Sequence, residues 1–236
     1  MKLLGLDFET TGTSPFKDRV IEIGYVQWDV ERKTPLQLGD FLIKHSPEEN
    51  VLVSEEITRI TGIYPADLSE NGVRVESAFA ALLHAHNQSD YVVAHNGNTF
   101  DKIFFNEELK RLGWTDRAKN IPWIDTRNDL PLDATVTVKN LKSLAERHKI
   151  INPFPHRAAF DVLTMLQILN QYKLEEVVAL SKIPLICVRA NVSYENRELA
   201  KARGFFWDRE RRQWLKWVKE NALEQERTAC TFDLET

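Results

Sequence analysis

Asp7 and Glu9 stand two residues apart at the end of the apolar run Lys2-Leu-Leu-Gly-Leu-Asp-Phe-Glu-Thr10. If this run is a buried strand, successive side chains point to opposite faces. Leu6 and Phe8 then look one way, and Asp7 and Glu9 together look the other. Two neighbouring carboxylates repel each other and resist desolvation, and a bound divalent cation relieves both costs. A strand that simply ends in water would explain the pair equally well if it stood alone. It has company. Tyr91–Gly97 reads as a second strand running into a turn, with Asp101 following at the head of a helical stretch. Further on, His156 precedes Asp161 by five residues, and Val162, Met165, Leu166, Leu169 and Tyr172 continue an apolar helical pattern from Asp161. Pro153 and Pro155 discourage helix upstream, which places His156 in a loop. Four acids and a histidine drawn from three separate segments are the makings of a metal-dependent hydrolytic centre.

These residues resemble the DEDDh 3′→5′ exonuclease family, which includes the proofreading epsilon subunit of bacterial DNA polymerase III. The motif Asp-x-Glu-Thr-Thr-Gly is present as Asp7–Gly12, His-Asn-x-x-x-Phe-Asp as His95–Asp101, and His-x-x-x-x-Asp as His156–Asp161. Weaker echoes follow the same order: Arg19–Gly24, Ile60–Ile63, Ile124–Thr126 and Leu141–Ala145. The likeness spans about residues 1–173. One departure is Thr61, where family members often carry a histidine before the glycine, and it bears on a contact to the terminal nucleotide rather than on the metal chemistry.

The resemblance implies two Mg²⁺ or Mn²⁺ ions held by Asp7, Glu9, Asp101 and Asp161, with Asp7 bridging both, and oxygen ligands suit such hard cations. It implies His156 as general base, a task for which an imidazole is suited at neutral pH. Phe8, Thr10, Thr61 and Asn96 are the candidates for contact with the terminal nucleotide, and Phe8 reads almost as well as simple core. His95 is read as structural. The products implied are nucleoside 5′-monophosphates, released from the 3′ end of a nucleic acid.

The supporting elements read as mixed α/β. Strands are expected at 2–9, 19–30 and 36–44, in meander order. Helices follow at about 54–60 and 75–87, the latter with Val75, Phe79, Leu82 and Leu83 on one stripe. Strand 91–95, helix 100–112, strand 121–126 and helices 138–148 and 158–172 complete the order. A mixed sheet flanked by helices follows, the RNase H-like fold of the resembled family. With 43% hydrophobic and 28% charged residues in 236, a sizeable core is expected and disorder is not. No apolar stretch reaches the ~20 residues of a membrane span. The N-terminus has no basic segment ahead of a hydrophobic core. The two cysteines, Cys187 and Cys230, lack metal-ligand spacing. The expectation is a cytoplasmic enzyme without a membrane partner.

Charge divides the chain. Residues 1–184 carry a net −5, residues 185–219 a net +5 and residues 220–236 a net −4. The domain reading is a nuclease domain over 1–178, a small basic and aromatic α+β module over 185–219, and an acidic tail over 220–236. Within the module, Ile186–Val192 reads as a strand, Glu195–Arg203 as a helix stopped by Gly204, and Phe205–Val218 as a hairpin turning at Asp208–Arg212. This block resembles a small module of unknown function found appended to DNA-processing proteins. Arg209, Arg211, Arg212 and Lys216 are candidates for phosphate contact, while Trp207 and Trp214 read as the module's own core. The tail has three open readings: disordered, folded back on the basic block, or docked on a partner such as a polymerase or clamp.

The function expected is a metal-dependent 3′→5′ exodeoxyribonuclease in repair, recombination or proofreading. DNA is favoured by the company of the C-terminal module. An exoribonuclease on the same fold is the nearest alternative, and a silent nucleic-acid-binding or scaffold protein the more distant one. Retention of a repulsive carboxylate cluster argues against the last.

Overall fold

In the computed structural model every residue except Ala134 and Glu210 is described. The chain opens with an antiparallel meander of β1 (Lys2–Thr10), β2 (Val20–Asp29) and β3 (Thr34–Lys44). Helices α1 (Glu55–Thr61) and α2 (Pro65–Asn71), strand β4 (Val73–Arg74) and helix α3 (Val75–His86) follow. Then come β5 (Tyr91–Ala94), α4 (Asp101–Leu112), β6 (Trp123–Asp125), α5 (Leu141–Arg147), α6 (Ala158–Leu169) and α7 (Leu174–Ser181). The six strands form one sheet in the order β4-β3-β2-β1-β5-β6, with β1, β5 and β6 parallel.

Strand β1 is central, so helices cover both of its faces and its sequence is almost continuously apolar. Leu4, Leu6 and Phe8 pack toward α3 and α4, against Phe79, Leu82, Phe104 and Phe105. Leu3 lies in the opposite cluster with Leu144, Val162, Met165 and Leu166 of α5 and α6. Alternation therefore sends Asp7 and Glu9 to the α6 side. Close packing there has a local cause at Gly24, which pairs with Asp7 across β2: a Cβ on it would lie 2.2 Å from the backbone nitrogen of Ala159. Glycine lets the first turn of α6 rest on the sheet.

Helix starts follow local chemistry. Ser54 Oγ caps α1 by accepting from the Ile57 N–H, and Asn140 Oδ1 caps α5 by accepting from the Ser143 N–H. The expected elements are present, with ends displaced by a few residues. Helix α5 begins at its Asn cap rather than at 138, and α6 begins at Ala158, leaving Asp161 in its first turn. Three short pieces, α2, β4 and α7, were not expected from periodicity.

Residues beyond Lys182 build a second sheet. β7 (Leu185–Asn191), α8 (Arg197–Ala202), β8 (Phe206–Asp208), β9 (Gln213–Lys219), α9 (Leu223–Ala229) and β10 (Asp233–Glu235) form an antiparallel sheet in the order β10-β7-β9-β8. This is the β-α-β-β-α-β arrangement of a split βαβ unit. Gly204 has φ +80° and stops α8, as expected. The expected turn at Asp208–Arg212 includes Glu210, which lies outside the described residues. The acidic tail folds back: β10 pairs with β7, and Leu223, Phe232 and Leu234 pack against the module's core of Val188, Ala200, Phe205 and Val218. A three-residue strand has too little pattern to announce itself, which is why the tail reads as separate in the sequence. Trp214 packs on this core, whereas Trp207 is 46% exposed, correcting the expectation that both tryptophans are interior.

The two parts meet at one end of the module. Lys219 Nζ lies 2.6 Å from Asp129 Oδ1, and Gly204 lies against the carbonyl of Thr137. Among the described residues, no helix is long and apolar enough to cross a membrane.

Candidate active site

Strands β1 and β5 are paired only from Leu3 to Gly5, because β5 ends at Ala94. Beyond that point the two parallel strands part, and the backbone of β1 has no strand partner on that side. Asp101, in the first turn of α4, fills the gap: the Phe8 N–H donates to its Oδ1 at 3.1 Å. This crevice beyond the strand ends is where ligands bind in open α/β sheets. Asp7 and Glu9 line it from β1, and Asp161 reaches it from α6.

The loop between β5 and α4 is held from below. Asn96 has φ +67°, a conformation open to asparagine in tight turns. Its N–H donates to Asp125 Oδ1 at 2.9 Å, and Asn128 Nδ2 donates to Asp125 Oδ2 at 3.0 Å. His95 is half-buried, with Nδ1 at 3.0 Å from Thr126 Oγ1, and desolvation pushes its pKa down to about 4. The loop thus fixes Asp101 through backbone bonds to a buried carboxylate.

On the opposite wall, His156 sits at φ +63°. Its N–H donates to Asp161 Oδ2 at 3.0 Å, and Asn152 Nδ2 donates to the other carboxylate oxygen. Its side chain is exposed, with room to turn. Potential ligand atoms of Glu9, His156 and Asp161 lie within 4.8 Å of one another.

Electrostatics bind the four acids into one unit. Burial, then Asp101, Glu9 and Asp161, hold Asp7 well above the usual carboxylate range. Burial pushes Glu9 to about 8, with Glu22, Asp161 and Asp101 adding to the rise and Arg157 opposing it. Asp101 rises to about 7 through burial, against the pull of the Phe8 N–H. Asp161 also rises through burial, with the His156 N–H opposing. A cluster that favours protons this strongly at neutral pH is built to be neutralised. Carboxylate oxygens with one imidazole nearby are a suitable donor set for hard divalent cations.

Sequence reasoning missed the layer behind these acids. Glu22 pairs directly with Glu9 across β1 and β2 and is fully buried. Arg157 Nη2 lies 2.7 Å from its Oε1, and the Ala158 N–H donates to Oε2 at 3.0 Å. One carboxylate therefore ties the sheet to the start of α6, between His156 and Asp161. The signal was available in the alternation: Glu22 stands in the apolar strand Val20–Asp29 at the position facing the same side as Glu9.

The expected nucleotide contacts fare unevenly. Phe8 is buried and stacks on Phe79, with centroids 6.1 Å apart. Thr10 is buried and donates to the Gly12 carbonyl at 2.6 Å. Thr61 is buried, donating to the Ile57 carbonyl and accepting from the Ile63 N–H. Their polar atoms serve the fold. Lys216 points at the module's helices, 2.8 Å from Glu226, rather than outward. Arg209, Arg211 and Arg212 lie at the β8–β9 turn, at the end of the sheet away from Asp129.

The family model described as Exonuclease matches residues 4–169, a span that holds all five residues of the cluster. The chain belongs to this exonuclease family. Residues 186–235 match a second model, described as a domain of unknown function. The exonuclease domain is similar to the PolC-type DNA polymerase III of Thermotoga maritima, 32% identical over 156 residues, covering 66% of this chain and 10% of the relative. The same polymerase from Caldanaerobacter subterraneus is 29% identical over 175 residues, covering 72% of this chain and 12% of the relative. The chain thus spans about a tenth of the length of the curated relatives it matches. Among solved structures, E. coli Exonuclease I in complex with a dT13 oligonucleotide overlays with TM-score 0.59 at 18% identity, covering 92% of this chain and 51% of that one. The nuclease domain of 3′hExo, a DEDDh family member bound to rAMP, overlays with TM-score 0.56 at 17% identity, covering 72% and 90%. The exonuclease domain has the RNase H-like fold of these neighbours.

Proposed function

We propose that the protein is a divalent-metal-dependent 3′→5′ exodeoxyribonuclease that releases nucleoside 5′-monophosphates. The observation that carries this reading is the grouping of Glu9, His156 and Asp161, whose potential ligand atoms lie within 4.8 Å of one another, next to Asp7 on the same strand face and Asp101 bonded to the Phe8 N–H. Two Mg²⁺ or Mn²⁺ ions held by these carboxylates would supply charge neutralisation at the phosphate and activation of water. The chain's own part is orientation and proton transfer. Asp101 is aimed by the Phe8 N–H, and Asp161 by Asn152 and the His156 N–H. His156, exposed beside Glu9 and Asp161, takes the proton from the attacking water at a ring nitrogen and returns it to solvent. The ion pair of buried Glu22 with Arg157 ties β2, the neighbour of β1, to the start of α6.

DNA is supported by the relatives, which are DNA polymerases, and by the neighbour solved with dT13. The rAMP-bound neighbour supports an exoribonuclease as the second reading. The polymerase relatives also make a replication or proofreading context reasonable. The deciding test is cleavage of matched 5′-labelled single-stranded DNA and RNA with Mg²⁺. A ladder shortening from the 3′ end on DNA, absent in EDTA and in Asp7→Asn, is the expected result. A ladder on RNA alone moves the protein to the second reading. Unaltered turnover by Asp7→Asn overturns the site.

A further inference from the structure

The C-terminal sheet has one face without a helix. Ile186, Val188 and Ala190 of β7 and Trp214 and Val218 of β9 lie in the cluster beneath α8 and α9. By alternation, Leu185, Cys187 and Arg189 of β7, Leu215 and Trp217 of β9, and Phe206 of β8 face the other way. None of these belongs to the module's core cluster, although Leu215 is itself buried and Lys219, on the same face, is held against Asp129 of the exonuclease domain. Register makes them contiguous, since Phe206 pairs with Leu215 and Cys187 pairs with Trp217. Phe206 and Trp217 are then diagonal neighbours, within reach of one another. Both are close to half exposed, at 45% and 43%, although aromatic rings have every reason to be covered.

We propose that this open face is a binding site for single-stranded nucleic acid, with Trp217 and Phe206 as stacking platforms for successive bases. The ligand's identity rests on the nuclease reading above, but the chemistry of the face supports it independently. Base stacking on exposed aromatic rings of a four-stranded sheet, with cations along the backbone path, is a general mode of single-strand recognition. Cations stand in the right places. Arg189 is on the face itself, where it pairs with Glu235 at the sheet edge. Arg211 stands exposed in the β8–β9 turn, where its backbone N–H donates to Asp208 Oδ1. With the folded tail included the module carries a net +1 (+5 over residues 185–219 and −4 over 220–236) beside a domain of net −5, so a polyanion meets less repulsion here than at the acidic body. Lys219 pairs with Asp129 of the exonuclease domain at this end of the sheet. A strand lying here could be retained while its 3′ end is presented to the acidic crevice. On this proposal the contacts come from Trp217, Phe206 and Arg211, while Lys216 is turned toward Glu226 of α9.

The test uses the full chain in EDTA, so that it reads binding whether or not the protein cleaves. A fluorescein-labelled single-stranded DNA oligonucleotide is titrated and its anisotropy followed. Trp217→Ala is expected to weaken binding at least tenfold, and Trp217→Phe to retain most of it. A parallel measurement on the parent chain guards against a misfolded variant. Oligonucleotide carrying 5-iodo-deoxyuridine is photo-cross-linked, and the attached peptides are identified by mass spectrometry. Cross-links to residues 205–219 support the site. Cross-links confined to residues 1–184, or unchanged affinity in a folded Trp217→Ala, overturn it. Loss of nuclease activity in the parent chain would count against the proposed function and leave this result standing.

Discussion

Replacing Glu9 by glutamine should stabilise the metal-free protein, by an amount that depends on pH in a defined way. Burial and the neighbouring acids raise the Glu9 pKa from 4.5 to about 8 in the folded chain. Below pH 4.5 both folded and unfolded states hold the proton, and ionisation costs nothing. Between 4.5 and 8 the folded state keeps a proton that the unfolded chain has released. Stability therefore falls as pH rises through that window and levels off above the folded pKa. At 1.36 kcal/mol per pKa unit, the loss at pH 7 is roughly 3 kcal/mol. Part of it is repulsion shared with Glu22, Asp161 and Asp101, and glutamine removes the charge at one member while keeping the shape. Urea denaturation in EDTA should show Glu9→Gln about 2–3 kcal/mol more stable than the parent at pH 7.5. The gap should close toward pH 5. Millimolar Mg²⁺ should raise the parent's midpoint and leave the variant's nearly unchanged, since a ligand that binds only the native state stabilises it by mass action. A variant no more stable than the parent at pH 7.5, or a gap that persists at pH 5, would refute the account of the cluster as a strained, proton-seeking site.

Three further outcomes follow from the same geometry. His156→Ala should lower the turnover of single-stranded DNA by about 10²–10⁴-fold, the range for losing a general base, while Mg²⁺ still shifts the melting temperature; a loss under tenfold would remove His156 from proton transfer. Arg157→Ala should cost about 2 kcal/mol by urea denaturation, less than the ~3–5 kcal/mol of a fully buried pair because the guanidinium side chain is 41% exposed. Its turnover should fall as well, since the start of α6 loses its tie to the sheet. Gly24→Ala places a methyl 2.2 Å from the Ala159 nitrogen and should destabilise by about 3 kcal/mol or more, backbone being less yielding than a side chain; a melting temperature within 2 °C of the parent, a shift of roughly 1 kcal/mol or less, would show that α6 does not rest there.

Local pattern is enough to find the acids and to place them on their elements. Parity along Lys2–Thr10 puts Asp7 and Glu9 on one face, and the proline pair keeps His156 out of a helix. These are local rules, decided within a few residues of chain. What lies across from each residue is set by long-range packing. The register of β1 on β2 sets Glu22 beside Glu9, and Arg157 arrives from 135 residues away to neutralise it. The early end of β5 leaves the Phe8 N–H for Asp101. In the C-terminal module, alternation separates Lys216 from Trp217, but it cannot say which face the helices will cover. That depends on α8 and α9 both returning to the same side, and on the acidic tail closing the edge of the sheet as β10. Burial, repulsion and exposure are properties of pairs brought together by long-range packing, so the side on which each charge and each indole ring emerges is settled only when the chain folds.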